Sequence, residues 1–173
     1  MQIQGSPFWR FSLALYRTPG VPAACLDVQD SCGADVNVVL FALWLASEGR
    51  ALDAAELAGA DAAVASWREE VVRTLRHARR ALREAPGAID AAGAAALRDQ
   101  VKKVELESER LQQEALFALR PAGAWGAPAD PLAAAARNLD ACERLLGAPF
   151  AASARSALLE AYGALVAQRG ADR

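Results

Sequence analysis

Polar side chains that could take part in chemistry are concentrated between residues 29 and 37. Gln29, Asp30, Asp35 and Asn37 bring two amides and two carboxylates into nine residues. Amide and carboxylate groups that converge in a concave site can orient a small polar ligand, and an aspartate whose pKa is raised by burial can exchange protons. The cluster therefore predicts either a binding pocket or an acid–base site.

The same cluster has a structural interpretation, which we favour. Asp35 precedes an apolar run and can cap a helix with its side chain, a contribution of ~1 kcal/mol. Asn37 falls inside that helix, and a buried amide needs hydrogen-bond partners, which Gln29 or a nearby backbone group can supply. The functional alternative is a pocket against Trp9 or Trp44 that holds a small polar ligand.

Metal and nucleophilic chemistry find little support in the residue types. His77 is the only histidine, and the chain has no Cys-x-x-Cys or His-Glu-x-x-His sequence of the kind that binds zinc. Thr74 stands where a di-iron bundle carries the glutamate of Glu-x-x-His. Ser12 and Ser31 have no histidine near them in the sequence to act as a base. We expect no catalytic residue, no metal and no cofactor, and we expect His77 to be exposed and without a role.

The segment from Asp61 to Ala85 is rich in arginine. Guanidinium groups can form a face for phosphate or an RNA backbone, because their planar fork matches phosphate oxygens. We favour a second interpretation, in which they pair with the acidic helix next along the chain, since this explains both compositions. The expected pairs join Arg68 and Arg79 to Glu105, Glu107 and Glu114. The arginines that then point outward and remain for an anionic partner are Arg73, Arg76 and Arg80.

Charge and hydropathy exclude several classes of protein. The 173-residue chain has a formal net charge of −2 and a sequence pI of about 5.5, whereas nucleic-acid-binding domains usually carry a basic excess. The longest apolar run, 38–46, is much shorter than the ~20 residues of a membrane span. The first ten residues lack the basic start and apolar run of a signal peptide. We expect neither nucleic acid nor a membrane as the partner.

Cysteine usage favours a reducing compartment. Cys25 and Cys32 are seven residues apart in one predicted helix, which separates them by roughly 10 Å, beyond the ~7 Å limit for a disulfide. Cys142 lies far along the sequence. Reduced, packed cysteines are typical of cytosolic proteins, so we expect a cytoplasmic protein.

Caps and glycines divide the first 49 residues into three helices. Ser6–Pro7 and Thr18–Pro19 each combine an N-cap with a first-turn proline, and Asp35 caps the third helix. The third helix is apolar on every side between 36 and 46, so it should lie at the centre of the domain. The expected ranges are 6–17, 18–33 and 35–49.

A long helical hairpin is predicted for 61–119. Asp53 and Glu56 form a capping box for a short helix, and Asp61 restarts the chain. One apolar stripe then consists of Val64, Trp67, Val71, Leu75, Ala78 and Leu82. After a break at Pro86–Gly87, a seam with a 3.5-residue repeat, typical of helix pairing, consists of Leu97, Val101, Val104, Ser108, Leu111, Ala115 and Ala118.

The remaining residues predict a C-terminal helix pair over 130–168. A loop over 121–129 precedes it, held in place by Trp125, and Asp130–Pro131 caps the first helix of the pair. Together these features predict an all-α fold, a compact bundle of about seven or eight helices around a central apolar helix, with a long antiparallel hairpin. We treat residues 1–173 as a single helical domain, in which residues 6–49 form three signature helices.

Several motifs in this order resemble a small family of uncharacterised bacterial proteins, a domain of unknown function. The resemblance rests on FWRFSLALY, on PGVPAACLDVQDSCGADVNVVLFALWL, and on the later WREEVVRTLRHARR and VKKVELESERLQQEAL. It implies a bacterial protein, from a proteobacterium of high genomic GC, and it brings no known activity or cofactor. The residues at the signature positions are Phe8, Trp9, Gln29, Asp30, Gly33, Asp35, Asn37, Trp44, Trp67 and Arg68.

Three functions are consistent with the sequence. Our leading hypothesis is a non-enzymatic domain acting through protein contacts, as a homodimer or with another protein, through an apolar patch near the first helix or the C-terminal pair. The second is a small-molecule binder, or less plausibly an enzyme, with a polar pocket at 29–37. The third is anion or RNA binding by the arginine face.

Overall fold

The computed structural model describes residues 5–84, 87–119 and 125–171, and most of these residues are helical. Pro86 of the expected helix break and residues 121–124 of the expected loop lie outside the described residues. The helices are α1 (Pro7–Tyr16), α2 (Val21–Cys32), α3 (Val36–Ser47), α4 (Ala54–Trp67), α5 (Arg73–Ala81), α6 (Ala91–Ala118), α7 (Pro131–Leu146) and α8 (Ala152–Ala171). A π-helical turn (Arg68–Val72) joins α4 to α5. These helices together confirm the prediction of an all-α bundle.

The first two helices begin and end through local backbone chemistry. Ser6 caps α1 by accepting a hydrogen bond from the backbone N–H of Trp9. The start expected for α2 at Thr18–Pro19 is wrong, because Thr18 turns back toward α1 and its backbone N–H donates to the carbonyl of Leu15. The N-cap of α2 is Gly20, at φ 88°. Gly33 ends α2 in the left-handed conformation, at φ 67°, as the sequence predicts.

The apolar helix α3 lies at the centre of the bundle, as predicted. All residues from 37 to 46 are buried, and α3 contacts α1, α2, α4, α6 and α7. Aromatic rings cluster along it: Phe41 lies 5.3 Å from Phe8 and 5.9 Å from Trp125, and Trp44 lies 5.5 Å from Phe117, measured between ring centroids. The contact with Trp125 anchors the loop before α7, which confirms the expected role of that tryptophan. Burial of such large side chains is the main stabilising contribution.

The π turn at residues 68–72 changes which side chains face the core along the continuous helical segment that begins with α4. The capping box of Asp53 and Glu56 is present, but α4 continues through Asp61, so the expected restart there is wrong. The π turn adds one residue to the helical repeat. It shifts the apolar stripe, because Val72 rather than the expected Val71 becomes buried. Periodicity of 3.6 residues cannot anticipate that shift.

The apolar seam predicted for α6 faces the wrong way. Leu97, Val104 and Leu111 are exposed, and Ser108 is the buried member of that seam. The buried face of α6 is polar along its middle, with Glu105, Ser108, Gln112 and Gln113, and apolar toward its ends, with Ala94 and Leu116. The reason is electrostatic, because this face lies against the arginines of α5 and the polar start of α3. The antiparallel hairpin itself is present: Arg79 pairs with Glu105 and Arg76 with Glu109, so residue numbers rise along α6 as they fall along α5.

The C-terminal helices complete the bundle, with α7 against α3 and α8 against α2. Two short strands that the sequence did not predict, Arg50–Ala51 (β1) and Ala127–Pro128 (β2), pair antiparallel beside α7. Asn138 of α7 is fully buried and ties these parts together. Its amide nitrogen donates to the carbonyls of Ala42 (2.8 Å) and Arg50 (3.1 Å), and its oxygen accepts from the N–H of Leu52 (2.7 Å).

We expect Asn138→Ala to destabilise the fold strongly. The substitution removes the partner of the buried N–H of Leu52 and one partner of the carbonyls of Ala42 and Arg50, and a buried group left unsatisfied costs ~1–3 kcal/mol. Urea unfolding followed by circular dichroism should show a free energy of unfolding lower by about 2–4 kcal/mol. Arg137→Ala, one residue away and exposed, is the control and should change it by less than about 0.5 kcal/mol. A small effect of Asn138→Ala would contradict the role assigned to this amide.

Candidate functional site

A cleft of about 650 Å³ opens between the N-terminal helices and the helical hairpin. Its first wall consists of α1, α2 and the start of α3, and its second wall consists of the π turn, α5 and α6. The volume is within the range of about 300–1,000 Å³ that is typical of ligand sites. Predicted binding residues and predicted anion-binding residues, which are distant in sequence, line this same cleft.

Arg68 connects the two walls at one end of the cleft. Its guanidinium lies 3.1 Å from the carboxylate of Asp35 and 2.5 Å from that of Asp61, with most of the side chain buried. Burial lowers the pKa of Arg68, but the hydrogen bonds and charges of Asp61 and Asp35 outweigh it and raise that pKa overall. Arg68 therefore stays charged and holds the N-cap of α3 against the π turn. The predicted pairing of Arg68 with the acidic residues of α6 is wrong.

Arg76 and Arg79 form a second network with α6. The carboxylate of Glu105, itself buried, accepts hydrogen bonds from both arginines. Arg76 also donates to Glu109 at 2.9 Å and to the amide oxygen of Gln29 at 2.6 Å. The expectation that Arg76 points outward is therefore wrong, because its side chain spans the cleft from α5 to α2. Of the pairs expected for α6, the one between Arg79 and Glu105 is confirmed; Glu107 pairs with Arg110 instead.

An amide network closes the inner end of the cleft. Asn37 is buried and donates to Gln112 at 3.3 Å, while its oxygen accepts from Gln113 at 2.8 Å. Gln112 also donates to the carboxylate of Asp35 at 2.5 Å, and Asp35 caps α3 through the N–H of Asn37. The predicted N-cap is confirmed. The expected partner of Asn37, Gln29, is wrong, since the amides of α6 take that position.

Exposed basic side chains lie along the wall of the cleft that α5 and α6 form. Arg73 and Arg80 are about half exposed; Arg73 pairs with Glu69, and Arg80 lies 3.7 Å from Asp30. Lys102 is exposed and forms no ion pair within the described residues. The cleft lining contains six arginine or lysine side chains against three carboxylates. Just outside the lining, Asp30, Asp61 and Glu69 pair with three of these arginines, so the basic excess belongs to the lining itself.

Apolar and aromatic side chains supply much of the remaining lining. Trp9 lines it from within the core, and Tyr16, Leu26 and Leu106 line it as exposed side chains. Polar capacity remains on the lining: the hydroxyl oxygen of Ser12 and the amide oxygen of Gln113 are buried and have no hydrogen-bond partner in the described part of the chain. Buried polar atoms are nearly always satisfied, so these two atoms mark a place where protein contacts alone are incomplete.

Ionisable groups of the cleft do not assemble into a nucleophile and its base. Burial raises the pKa of the Cys25 thiol to about 12, which suppresses the reactive thiolate. Burial also raises the pKa of Glu109, while the nearby Arg76 opposes that effect. His77 is exposed, as predicted, and lines the cleft. Within the described residues, no three side chains of His, Cys, Asp or Glu are grouped to hold a metal.

The structure brings together most, not all, of the binding residues that the sequence suggested. Gln29, Asp35, Asn37 and Trp9 line the cleft. Asp30 is exposed outside the lining, where it contacts Gln29 and Arg80. The prediction that Trp44 lines the pocket is wrong. Trp44 is 1% exposed and packs against Phe8 and Phe117 in the aromatic core. Of the predicted anion-binding residues, Arg73, Arg76 and Arg80 all line the cleft.

Sequence reasoning predicted the pairing of Glu105 but missed the rest of the contribution of α6. Glu105, Glu109, Gln112 and Gln113 supply the acidic and amide groups of the second wall. Their spacing of four, three and one places them on one face of a helix, which is the signal that could have found them. The apolar heptad repeat on another face of α6 is a stronger sequence signal for burial. The sequence therefore predicts that that face, and not the polar one, lies in the interior.

The comparisons with known proteins bear on the same region. A family model described as a protein of unknown function, DUF2390, matches residues 7–116. The match covers well over half of the chain, and the chain belongs to this family. Every residue that lines the cleft falls inside the matched range. No curated protein and no solved structure matches the chain. Among the described residues, no helix is long and apolar enough to cross a membrane.

We expect Asn37→Ala to reduce stability, because it removes the partners of the Gln112 amide oxygen and the Gln113 amide nitrogen in a buried network. The free energy of unfolding in urea should fall by about 1–3 kcal/mol. Asn37→Asp is the informative second variant, since it keeps the shape but places a charge near Asp35, and it should be at least as damaging at neutral pH. Wild-type stability for either variant would contradict the structural role of Asn37.

Thiol reactivity should distinguish the three cysteines. Cys25 and Cys142 are buried, and burial raises the pKa of each thiol to about 12, so roughly one in ten thousand is ionised at pH 8. Cys32 is partly exposed. A colorimetric disulfide reagent at pH 8 should therefore label one thiol quickly and two only in denaturant, and Cys32→Ser should abolish the fast phase. Fast labelling of all three would contradict this burial.

Proposed function

We propose that this protein binds a small anionic ligand that has an apolar or aromatic body, in the cleft between α2 and the helical hairpin. The observation that carries the proposal is the lining itself: exposed cations at one part of the opening and exposed apolar side chains at another. Arg73, Arg80 and Lys102 can bind a phosphate, sulfonate or carboxylate group. Tyr16 and Leu26 can cover the rest of the molecule.

The salt-bridged residues of the cleft act as its frame in this proposal. Arg68, Arg76 and Arg79 are engaged by carboxylates, and removal of one partner from a buried pair usually costs ~3–5 kcal/mol. Arg68 and Arg76 fix the distance between the walls through Asp35 and Gln29, and Arg79 joins α5 to α6 within the second wall. A ligand can instead compete for Arg73 and Arg80, whose ion pairs are exposed and therefore weak, worth ~0–1 kcal/mol.

A small ligand is favoured over RNA. The six basic groups of the lining all lie on the wall formed by the π turn, α5 and α6, with the carboxylates of Glu105 and Glu109 among them. They border a concave site, whereas a nucleic-acid backbone is bound by an open basic surface. Burial raises the pKa of the Cys25 thiol and keeps it protonated, which removes this side chain as a candidate nucleophile. We also propose a cytoplasmic location, which the three free cysteines support. Protein contacts, the leading hypothesis from sequence, find separate support on α6.

The test uses 8-anilinonaphthalene-1-sulfonate, a probe with one sulfonate and an aromatic body, whose fluorescence rises on binding. Two triple variants change the net charge equally. The cleft variant is Arg73→Gln/Arg80→Gln/Lys102→Gln. The control variant, at exposed positions outside the lining, is Arg17→Gln/Arg137→Gln/Arg144→Gln.

The cleft variant should weaken probe binding by about tenfold or more, because it removes charge-assisted contacts worth ~1.4 kcal/mol or more in total. The control should stay within about twofold, and added salt should weaken binding to the wild type. Displacement of the probe by phosphorylated or carboxylated aromatic metabolites then identifies the ligand class. Equal loss in both triple variants, with unchanged circular dichroism, would refute a site in the cleft.

A further inference from the structure

The exposed face of α6 carries a regular apolar stripe that the fold does not use. Leu97 is 49%, Val104 53% and Leu111 43% exposed, each seven residues from the next. Ala115 and Ala118 are exposed further along. Over a helix of 28 residues, roughly 42 Å long, residues at a spacing of seven stay nearly in line and suit a second helix packed alongside.

Neighbouring residues bound this stripe on its two sides. On one side lies Trp67, which is 38% exposed and donates from its indole nitrogen to the carbonyl of Ser108 at 3.0 Å. Ser108 lies between Val104 and Leu111 on the helix surface, so the indole extends the apolar face. On the other side, a row of charges runs beside the stripe, at roughly 60–120° around the helix axis at 100° per residue.

The charged row is complementary to itself in reverse. It consists of Lys103, Glu107, Arg110 and Glu114, with spacings of four, three and four. The spacing is the same whether the row is read forwards or backwards. Each position in the forward reading carries the opposite charge to the same position in the backward reading. A second copy of α6 laid antiparallel, related by a two-fold axis, places its row on the same side. Within one copy, Arg110 already pairs with Glu107, and Glu114 accepts a hydrogen bond from the backbone N–H of Ser6. In the dimer, Lys103 lies opposite Glu114 of the second copy and Glu107 opposite Arg110, so the contacts across the two-fold axis extend these pairs into a network.

We propose that α6 mediates antiparallel homodimerisation through this stripe and charged row. Apolar contact contributes most of the affinity, and the self-complementary charges select the antiparallel orientation. The cleft is lined by Glu105, Glu109 and Gln113, which lie on the other side of α6. The dimer therefore leaves the cleft open, and the interface is independent of the proposed ligand.

The first experiment measures self-association by sedimentation velocity between about 1 and 300 μM, a range that detects micromolar dimers. Wild type should shift from monomer to dimer, and Val104→Glu and Leu111→Glu should remain monomeric with unchanged circular dichroism. Leu132→Glu is the control, because Leu132 is 57% exposed but lies on α7. This variant should dimerise as wild type does. A wild type that is monomeric throughout, or a dimer that survives Leu111→Glu, would overturn the proposal.

A charge exchange tests the orientation. In the antiparallel dimer, Arg110→Glu puts a glutamate of each copy opposite Glu107 of the other, and Glu107→Arg puts an arginine of each copy opposite Arg110 of the other. Each variant alone then has two repulsive contacts and should dimerise at least tenfold more weakly. An equimolar mixture restores opposite charges at both contacts and should recover dimers containing one copy of each. Full dimerisation of either variant alone, or failure of the mixture to associate, would exclude the antiparallel arrangement.

Discussion

The N-terminus of α3 imposes the constraint on which the rest of the structure depends. An almost wholly apolar helix must lie in the core, yet its first turn has backbone N–H groups and the side chains of Asp35 and Asn37 that need partners. Arg68 and the paired amides of Gln112 and Gln113 supply them. Because these partners come from the π turn and α6, satisfying one helix end also fixes the hairpin against the N-terminal helices.

The cleft results from that arrangement. The hairpin is held away from α1 and α2 by polar contacts of fixed geometry, such as the hydrogen bond between Arg76 and Gln29. Close apolar packing continues elsewhere in the core, around Phe41 and Trp44. Local electrostatics also differ from the global balance, since acidic residues elsewhere offset the basic lining. Net charge therefore says little about which ligand a particular surface prefers.

The sequence predicted most of the fold, because local signals decide most helix ends. Caps such as Ser6, Asp35 and Asp53, and the glycine at Gly33, act within a few residues. The prediction failed where contacts between distant residues decide the structure. Examples are the hydrogen bonds of Asn37 to glutamines of α6, the pairing of Arg68 with Asp35, and the face of α6 that is buried. The apolar heptad of α6 was identified correctly as a pattern, but its burial could not be, since periodicity shows that residues share a face and not what that face meets.

The π turn at Arg68–Val72 sets the rotation of α5 relative to α4. A π turn amounts to one residue inserted into an α-helix, and each helical residue rotates the remainder of the helix by roughly 100°. Regular α-helical geometry over the same residues would therefore turn the guanidinium groups of Arg76 and Arg79 away from Glu105 without altering one side chain of either helix. The alignment of the basic half of this rod thus depends on the wide turn that accommodates the extra residue in a five-residue segment.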